Sequence, residues 1–86
     1  MLAVPKMTAT ITNADFAEAA GIHFSMASRL RNGERKPGLS TVINTAKAYT
    51  LTGDEVLDWL LAIDREASAS GEWLCNHVFG RTAAAA

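Results

Sequence analysis

Apolar residues in the first third of the chain recur three and four positions apart, the spacing that lines one face of an α-helix. Thr12 and Asp15 stand three residues apart and can cap a helix that begins near Asn13. Gly21 ends this helix, because glycine adopts the left-handed conformation that closes helices without a steric penalty. The apolar positions of this helix are Phe16, Ala17 and Ala20.

A second helix is predicted directly after this turn, from about His23 to Arg31. Its helical periodicity separates an apolar face from a polar one. The apolar face carries Met26, Ala27 and Leu30, and the polar face carries His23, Ser25, Ser28 and Arg29. Asn32 and Gly33 are typical of a helix end, and the charged loop that follows, residues 34–38, contains both proline and glycine.

Two further helices are predicted in the middle of the chain. Apolar residues at helical spacing extend from Leu39 to near Thr50, and Thr52 with Glu55 forms a second capping box. The helix after Thr52 is apolar over more than half of its circumference, so we expect something besides the core to pack on it. Its apolar positions are Val56, Leu57, Trp59, Leu60, Leu61 and Ile63.

The two ends of the chain have weaker patterns. Residues 1–11 contain Pro5 but are otherwise rich in poor helix formers, so the opening stays ambiguous. Residues 68–71, with two serines and a glycine, predict a short linker. Residues 72–79 predict a short amphipathic helix, and residues 81–86 predict a mobile alanine-rich tail.

The length of the chain, 86 residues, allows one domain, because a smaller piece would bury too little surface to fold alone. We expect an all-α fold of four to five helices, with a helical domain over residues 1–66 and a C-terminal extension over residues 67–86. One cysteine, Cys75, permits neither an internal disulfide nor a cysteine-based zinc site. No apolar stretch approaches the roughly 20 residues of a membrane span, and the N-terminus lacks signal-peptide features, so we expect a cytoplasmic protein with no membrane partner.

The net charge of -1 conceals two oppositely charged regions. Residues 21–50 carry five basic side chains against one acidic side chain, a local net charge of +4. Residues 51–72 carry one basic side chain against six acidic ones, a local net charge of -5. The chain-wide average therefore does not argue against a nucleic-acid partner.

The segment from Asn13 to Leu30 has the parts of a helix-turn-helix: a small residue where the helices cross, a glycine at the tight turn and apolar residues between the helices. These positions are held by Ala17, Gly21, Ile22, Ala27 and Leu30. Together with RNGERKP at residues 31–37 and AKA at residues 46–48, the segment resembles the Cro and CI repressor family, also named the xenobiotic-response-element type. The resemblance covers about residues 12–60 and implies a compact lambda-repressor-like DNA-binding domain.

The resemblance also implies which residues contact DNA. The start of the second helix enters the major groove in this family, where side chains reach base edges. The residues implied for base contacts are His23, Phe24, Ser25, Ser28 and Arg29. Those implied for the DNA backbone are Asn13, Arg31, Asn32, Arg35 and Lys36. The family more often has a polar residue where Phe24 stands, so a place in the core is the alternative for Phe24.

The chain departs from the family in front of the motif, where a well-formed amphipathic helix is the rule. Only about a dozen residues are present there, so we expect a short or irregular first helix. Apolar residues near the C-terminus can cover the surface that this leaves open, or can form a dimer contact. The residues considered for packing or dimer contacts are Trp59, Trp73, Leu74, Val78 and Phe79.

The sequence has too few suitably placed residues to support a catalytic function. Cys75 and His77 stand two positions apart, which does not bring their side chains together on a helix, and no third group orients the histidine. No metal quartet, phosphate-binding glycine loop or cofactor motif is present, so we expect no enzyme, metal, cofactor or small-molecule ligand. The leading hypothesis is a phage-type repressor that binds a double-stranded operator as a monomer or homodimer. The alternatives are the antitoxin of a toxin-antitoxin pair and a protein-interaction module that does not bind DNA.

Overall fold

The computed structural model describes residues 10–81, and the regular elements of that range are helices. Helix α1 spans Asn13–Ala20, α2 spans Phe24–Arg31, α3 spans Leu39–Ala48, α4 spans Gly53–Arg65 and α5 spans Ala67–Leu74. The last helix continues as a π-helical segment, Cys75–Phe79. The predicted all-α fold is therefore confirmed for the described residues. The predictions for residues 1–9 and 82–86 lie outside them.

Both predicted capping boxes are present. At the start of α1, the backbone N–H of Asp15 donates to Thr12 Oγ1 over 3.1 Å, and the Thr12 N–H donates back to the Asp15 carboxylate over 3.2 Å. Thr52 and Glu55 form the same pair of bonds at the start of α4. These reciprocal bonds satisfy N–H groups that have no partner inside the helix, so the local sequence determines where α1 and α4 begin.

The predicted linker at residues 68–71 is wrong, because these residues lie inside α5. Ser70 is fully buried, and its hydroxyl accepts a hydrogen bond from the indole N–H of Trp59 over 2.9 Å. A Cβ atom placed on Gly71 would lie 2.6 Å from the backbone nitrogen of Gly33. The small residues that resemble a linker in the sequence therefore allow α5 to pack closely against the end of α2.

The core is formed by α1, α2 and α4, with Val42 of α3, together with the C-terminal segment that comprises α5 and the π-helical residues. Trp59 is fully buried, and its indole stacks on that of Trp73 with ring centroids 5.0 Å apart and planes within 4°. The imidazole of His77 stacks on Trp73 at 4.3 Å. The indole N–H of Trp73 donates to the Asp58 carboxylate over 2.8 Å, so both buried tryptophan N–H groups have acceptors.

Arg81, which the sequence placed at the start of a mobile tail, is held by the folded chain. Its guanidinium donates to the carbonyls of His77 and Tyr49 and pairs with the Glu55 carboxylate at 3.0 Å. Its own carbonyl accepts from the N–H of Ile11 over 3.4 Å. The prediction of mobility is therefore wrong for Arg81, because three separate parts of the chain supply acceptors for its N–H groups.

Among the residues that the structure describes, none covers one face of α4. Leu57 and Leu61 are each 57% exposed and Leu60 is 41% exposed, whereas Trp59 on the opposite face is buried. The wide apolar surface that the sequence predicted for α4 is thus divided between the core and solvent. Within residues 10–81, no helix has the length and apolar character needed to cross a membrane.

Candidate nucleic-acid interface

The turn between α1 and α2 has the geometry that the sequence predicted. Gly21 adopts the left-handed conformation, with φ of 69°, and its N–H donates to the Glu18 carbonyl over 3.3 Å. The N–H of Ile22 donates to the Ala17 carbonyl over 2.9 Å. These bonds close α1 within one residue and set the direction in which α2 leaves it.

Asn44, which sequence reasoning did not single out, holds the same turn from α3. Its side-chain amide donates to the Ala20 carbonyl over 3.1 Å, which satisfies an acceptor at the open end of α1. The only signal in the sequence was an amide in the middle of a helix, and such residues are common on exposed helix faces. Its role depends on α3 crossing α1, which the tertiary structure determines.

Helix α2 has one buried face and one exposed edge. Ala27 and Leu30 are buried in the core, and Met26 packs against it. The residues predicted to reach base edges lie away from this face: His23, Phe24, Ser25 and Arg29 are exposed, and Ser28 is half-buried. The structure therefore leaves a mixed polar, aromatic and basic edge of α2 open to a partner.

His23 lies one residue before α2 and caps it, so the helix begins one residue later than predicted. Its Nδ1 accepts from the backbone N–H of Ser25 over 3.1 Å and lies 2.9 Å from the Ser25 hydroxyl. Because Nδ1 acts as an acceptor, a neutral His23 carries its proton on Nε2. The exposed imidazole therefore offers an N–H donor at the N-terminal end of α2.

Phe24 is 54% exposed and takes no place in the core cluster of the described residues. On the surface of α2 the apolar ring of Phe24 stays in contact with water. Packing against the core therefore does not explain an aromatic residue at this position. The alternative position for Phe24, burial in the core, is wrong. Phe24 and Ser28 stand four positions apart in α2, so they share one face of the helix.

The basic loop after α2 adds positive charge beside this edge. Arg35 and Lys36 are both exposed, and the Asn32 side-chain amide donates to the Glu34 carboxylate over 3.4 Å. Among residues 10–81 one ion pair is present, between Arg81 and Glu55. Arg29, Arg35 and Lys36 have no carboxylate of that range within 4.0 Å. A shallow groove of about 250 Å³ separates the loop from α2 and is lined by Ile22, Met26, Leu30, Arg35, Lys36, Pro37, Gly38 and Thr41.

Asn13 and Arg31, both predicted to contact the DNA backbone, contact each other. A guanidinium N–H of Arg31 donates to Asn13 Oδ1 over 3.3 Å. The same guanidinium lies over the ring of Phe79, with its central carbon 4.4 Å from the ring centroid. Both side chains are half-buried, so the structure joins the start of α1, the end of α2 and the C-terminal segment at one point.

The five residues considered for packing or dimer contacts all lie inside the folded chain. Trp59, Leu74 and Val78 have no exposed surface, and Trp73 and Phe79 are 5% and 3% exposed. They belong to the same core cluster as Phe16 and Leu30.

A short helix, a glycine turn and a second helix with a buried apolar face and an open basic edge define a helix-turn-helix domain. The helix-turn-helix family model of the Cro/C1 type matches residues 8–56. The chain belongs to this family, which is a DNA-binding regulatory domain, and the resemblance described above is thereby confirmed. Comparison with curated proteins and with solved structures gives no significant match.

Proposed function

We propose that the protein is a transcriptional repressor of the phage Cro/CI type that acts in the cytoplasm by covering a short double-stranded operator. The observation that carries this proposal is the exposed edge of α2 beside a basic loop whose cations have no acidic partner among the described residues. Double-stranded DNA presents closely spaced phosphates that such cations neutralise. Repression follows from occupancy of the operator and needs no catalytic group.

The exposed edge of α2 is assigned to base reading. Arg29 can donate two hydrogen bonds to guanine O6 and N7, which is a common specific contact in the major groove. Ser25 and Ser28 can donate or accept at several bases, and Phe24 can pack on a thymine methyl group. The outward N–H of His23 adds a donor at the start of the helix.

The surrounding residues are assigned to the DNA backbone. Arg35 and Lys36 are exposed on a loop next to α2, where they can neutralise phosphates without reading sequence. Asn32, also exposed, and the Asn13–Arg31 pair complete this set. These contacts supply affinity and orient α2 over the base edges.

Arg29→Ala and Lys36→Ala separate the two kinds of contact. Removing Arg29 is expected to weaken binding to the preferred site by about 1 to 3 kcal/mol and to relax the preference at one base pair. Removing Lys36 is expected to weaken binding to all sequences alike and to reduce the slope of log K against log salt by about one. Duplex sites selected from a random pool supply the preferred sequence, and fluorescence anisotropy across a salt series gives both quantities. Equal effects of both changes on preferred and random DNA would contradict the assignment.

The stoichiometry is proposed as a homodimer, since the eight residues of α2 can read only a few base pairs. The tryptophans and their neighbours are buried, so the exposed leucines of α4 are the surface we assign to the second copy. In this proposal residues 1–66 hold the DNA-reading and pairing surfaces, and residues 67–86 form a C-terminal extension, of which Trp73, Leu74, Val78 and Phe79 belong to the core.

Sedimentation of the wild-type protein and of Leu61→Ser tests this arrangement. A dimer that Leu61→Ser converts to monomer, together with a two-fold symmetric selected site, supports the homodimer. A wild-type monomer would contradict it and leave the leucines of α4, flanked by the acidic residues Asp58 and Asp64, for a different protein. That outcome, with retained DNA binding, favours the antitoxin alternative. No duplex binding even at low salt would leave only a protein-interaction module.

A further inference from the structure

The C-terminal segment contacts the side chain of Arg31, at the edge of the proposed DNA-binding surface, through Phe79. Its ring is 3% exposed and packs on the ring of Phe16, with centroids 5.1 Å apart and planes tilted by 54°. The guanidinium of Arg31 lies over the same ring at 4.4 Å. A buried aromatic ring that is itself fixed by a core contact thus supports a half-buried cation at the end of α2.

The backbone around Arg31 is fixed by the same segment. The Arg31 carbonyl accepts a weak bond from Cys75 Sγ at 3.8 Å, and a Cβ atom on Gly71 would come within 2.9 Å of that carbonyl oxygen. The end of α2 therefore lies against α5 with no room for a larger residue at Gly71. Both the main chain and the side chain of Arg31 depend on the C-terminal segment for their positions.

The contacts of Arg31 leave most of its hydrogen-bonding capacity free. A guanidinium has five N–H donors, and among the described residues one of them is used, by Asn13 Oδ1. A cation that rests on an aromatic face keeps its N–H groups available, and guanidinium N–H pairs match the oxygens of a phosphate. Arg31 is thus held in place without being neutralised, since it has no carboxylate within 4.0 Å in residues 10–81.

We infer that Phe79 is a positioning residue for DNA binding: its ring holds the Arg31 guanidinium beside Asn13, where the two side chains can share one phosphate. This inference rests on the proposed function and deepens it, because it assigns to the C-terminal segment a part in phosphate recognition as well as in the core. A long arginine side chain that is already ordered loses less rotamer freedom when it binds. The support from Phe79 therefore raises affinity equally for all DNA sequences.

The test is a double-mutant cycle on Phe79 and Arg31, measured with random-sequence duplex DNA by fluorescence anisotropy over a potassium chloride series. Phe79→Leu keeps an apolar side chain in the core and removes the ring, so it is expected to weaken binding about two- to fivefold. Arg31→Ala is expected to weaken binding further and to reduce the salt slope by about one. The double variant is expected to bind no more weakly than Arg31→Ala alone.

Val78→Ala is the matched control, because Val78 is a fully buried neighbour whose loss leaves the ring beneath Arg31 in place. It is expected to lower the melting temperature without changing DNA affinity at a temperature where every variant is folded. A second readout is independent of DNA: the Arg31 Nε–H resonance should move toward its random-coil position in Phe79→Leu, because the ring current is lost. If Phe79→Leu does not fold, Phe79→Met replaces it in both measurements.

The inference is overturned if the Phe79 variant binds like the wild type, if it weakens binding equally in the Arg31→Ala background, or if Val78→Ala weakens binding as much. Failure of the proposed function has a different signature, since the wild-type protein would then bind no duplex at low salt. In that case the Arg31 Nε–H resonance still decides whether Phe79 positions the guanidinium.

Discussion

The turn between α1 and α2 and the crossing between α2 and α5 both require glycine, for different physical reasons. Gly21 is needed chiefly for its backbone, since φ is 69°, and a Cβ atom there would meet the end of a flexible side chain, the Asn44 amide nitrogen, at a tight 3.3 Å. Gly71 is needed for its size, because a Cβ atom would meet the Gly33 backbone at 2.6 Å and 2.8 Å. The first requirement is local to the chain, whereas the second exists only after α5 packs against α2.

The largest expected effect is at the crossing. Gly71→Ala places a methyl group against backbone atoms that cannot rotate away, so α5 has to shift and the free energy of unfolding is expected to fall by about 3 kcal/mol. Gly53→Ala is the control, because a Cβ atom at Gly53 meets nothing within 4 Å. Urea unfolding of both variants measures the difference. If Gly71→Ala is as stable as Gly53→Ala, α5 and the end of α2 do not approach each other closely enough to exclude a Cβ atom at Gly71.

Ser70→Ala is expected to have the next largest effect on the same crossing. Its hydroxyl is the acceptor for the buried indole N–H of Trp59, and losing it leaves that donor unpaired at a cost of about 1 to 3 kcal/mol. Ser68→Ala is the matched control, since Ser68 is exposed and its hydroxyl donates to the exposed Glu66 carboxylate. Unfolding monitored by tryptophan fluorescence compares them, and equal losses would refute a structural role for the Trp59–Ser70 bond.

A smaller effect is expected at the turn. Gly21→Ala forces a residue with a Cβ atom into the left-handed conformation, which costs about 1 to 2 kcal/mol. Gly21→Asn is expected to cost less, because asparagine tolerates this conformation better than alanine does. Melting temperatures rank the wild-type protein, Gly21→Asn and Gly21→Ala. If Gly21→Asn is less stable than Gly21→Ala, the space near Asn44, and not the positive φ, determines which residues fit at this position.

The smallest effect concerns Glu55, where local and tertiary interactions act on one carboxyl. Its pKa is lowered from the ordinary value of 4.5, chiefly because the Thr52 backbone N–H donates to it and secondarily because the Arg81 guanidinium lies beside it. A lowered folded-state pKa gives stability that is present above pH 4.5 and is lost as the pH falls through the folded value. Arg81→Ala is expected to reduce the loss of stability in acid that is due to Glu55, and Glu55→Gln is expected to remove it. Urea unfolding of the wild-type protein and both variants at a series of pH values measures this loss. An unchanged pH dependence in Arg81→Ala would exclude a contribution from Arg81.

Much of the helix-turn-helix could be predicted from the sequence because its determinants are close together in the chain. Thr12 with Asp15 determines the start of α1, Gly21 determines its end, and the spacing of Ala27 and Leu30 determines which edge of α2 faces outward. The linker at residues 68–71 was predicted wrongly by the same rules, since serine and glycine have the same local preferences whether they bend a chain or allow two helices to approach closely.

The sequence by itself determined helices α1 to α4, the capping boxes of α1 and α4, the turn and the segregation of charge, because each depends on residues within a few positions of one another. Only the tertiary structure decided that Asn44 holds the turn, that Arg81 is anchored by Glu55 and Tyr49, and that Phe79 lies beneath Arg31. These contacts join residues between 24 and 48 positions apart, and their partners depend on how α5 crosses α2 and on where the chain returns. Contacts between residues so far apart leave no periodic pattern in the sequence, because many different pairs of side chains could make an equivalent contact.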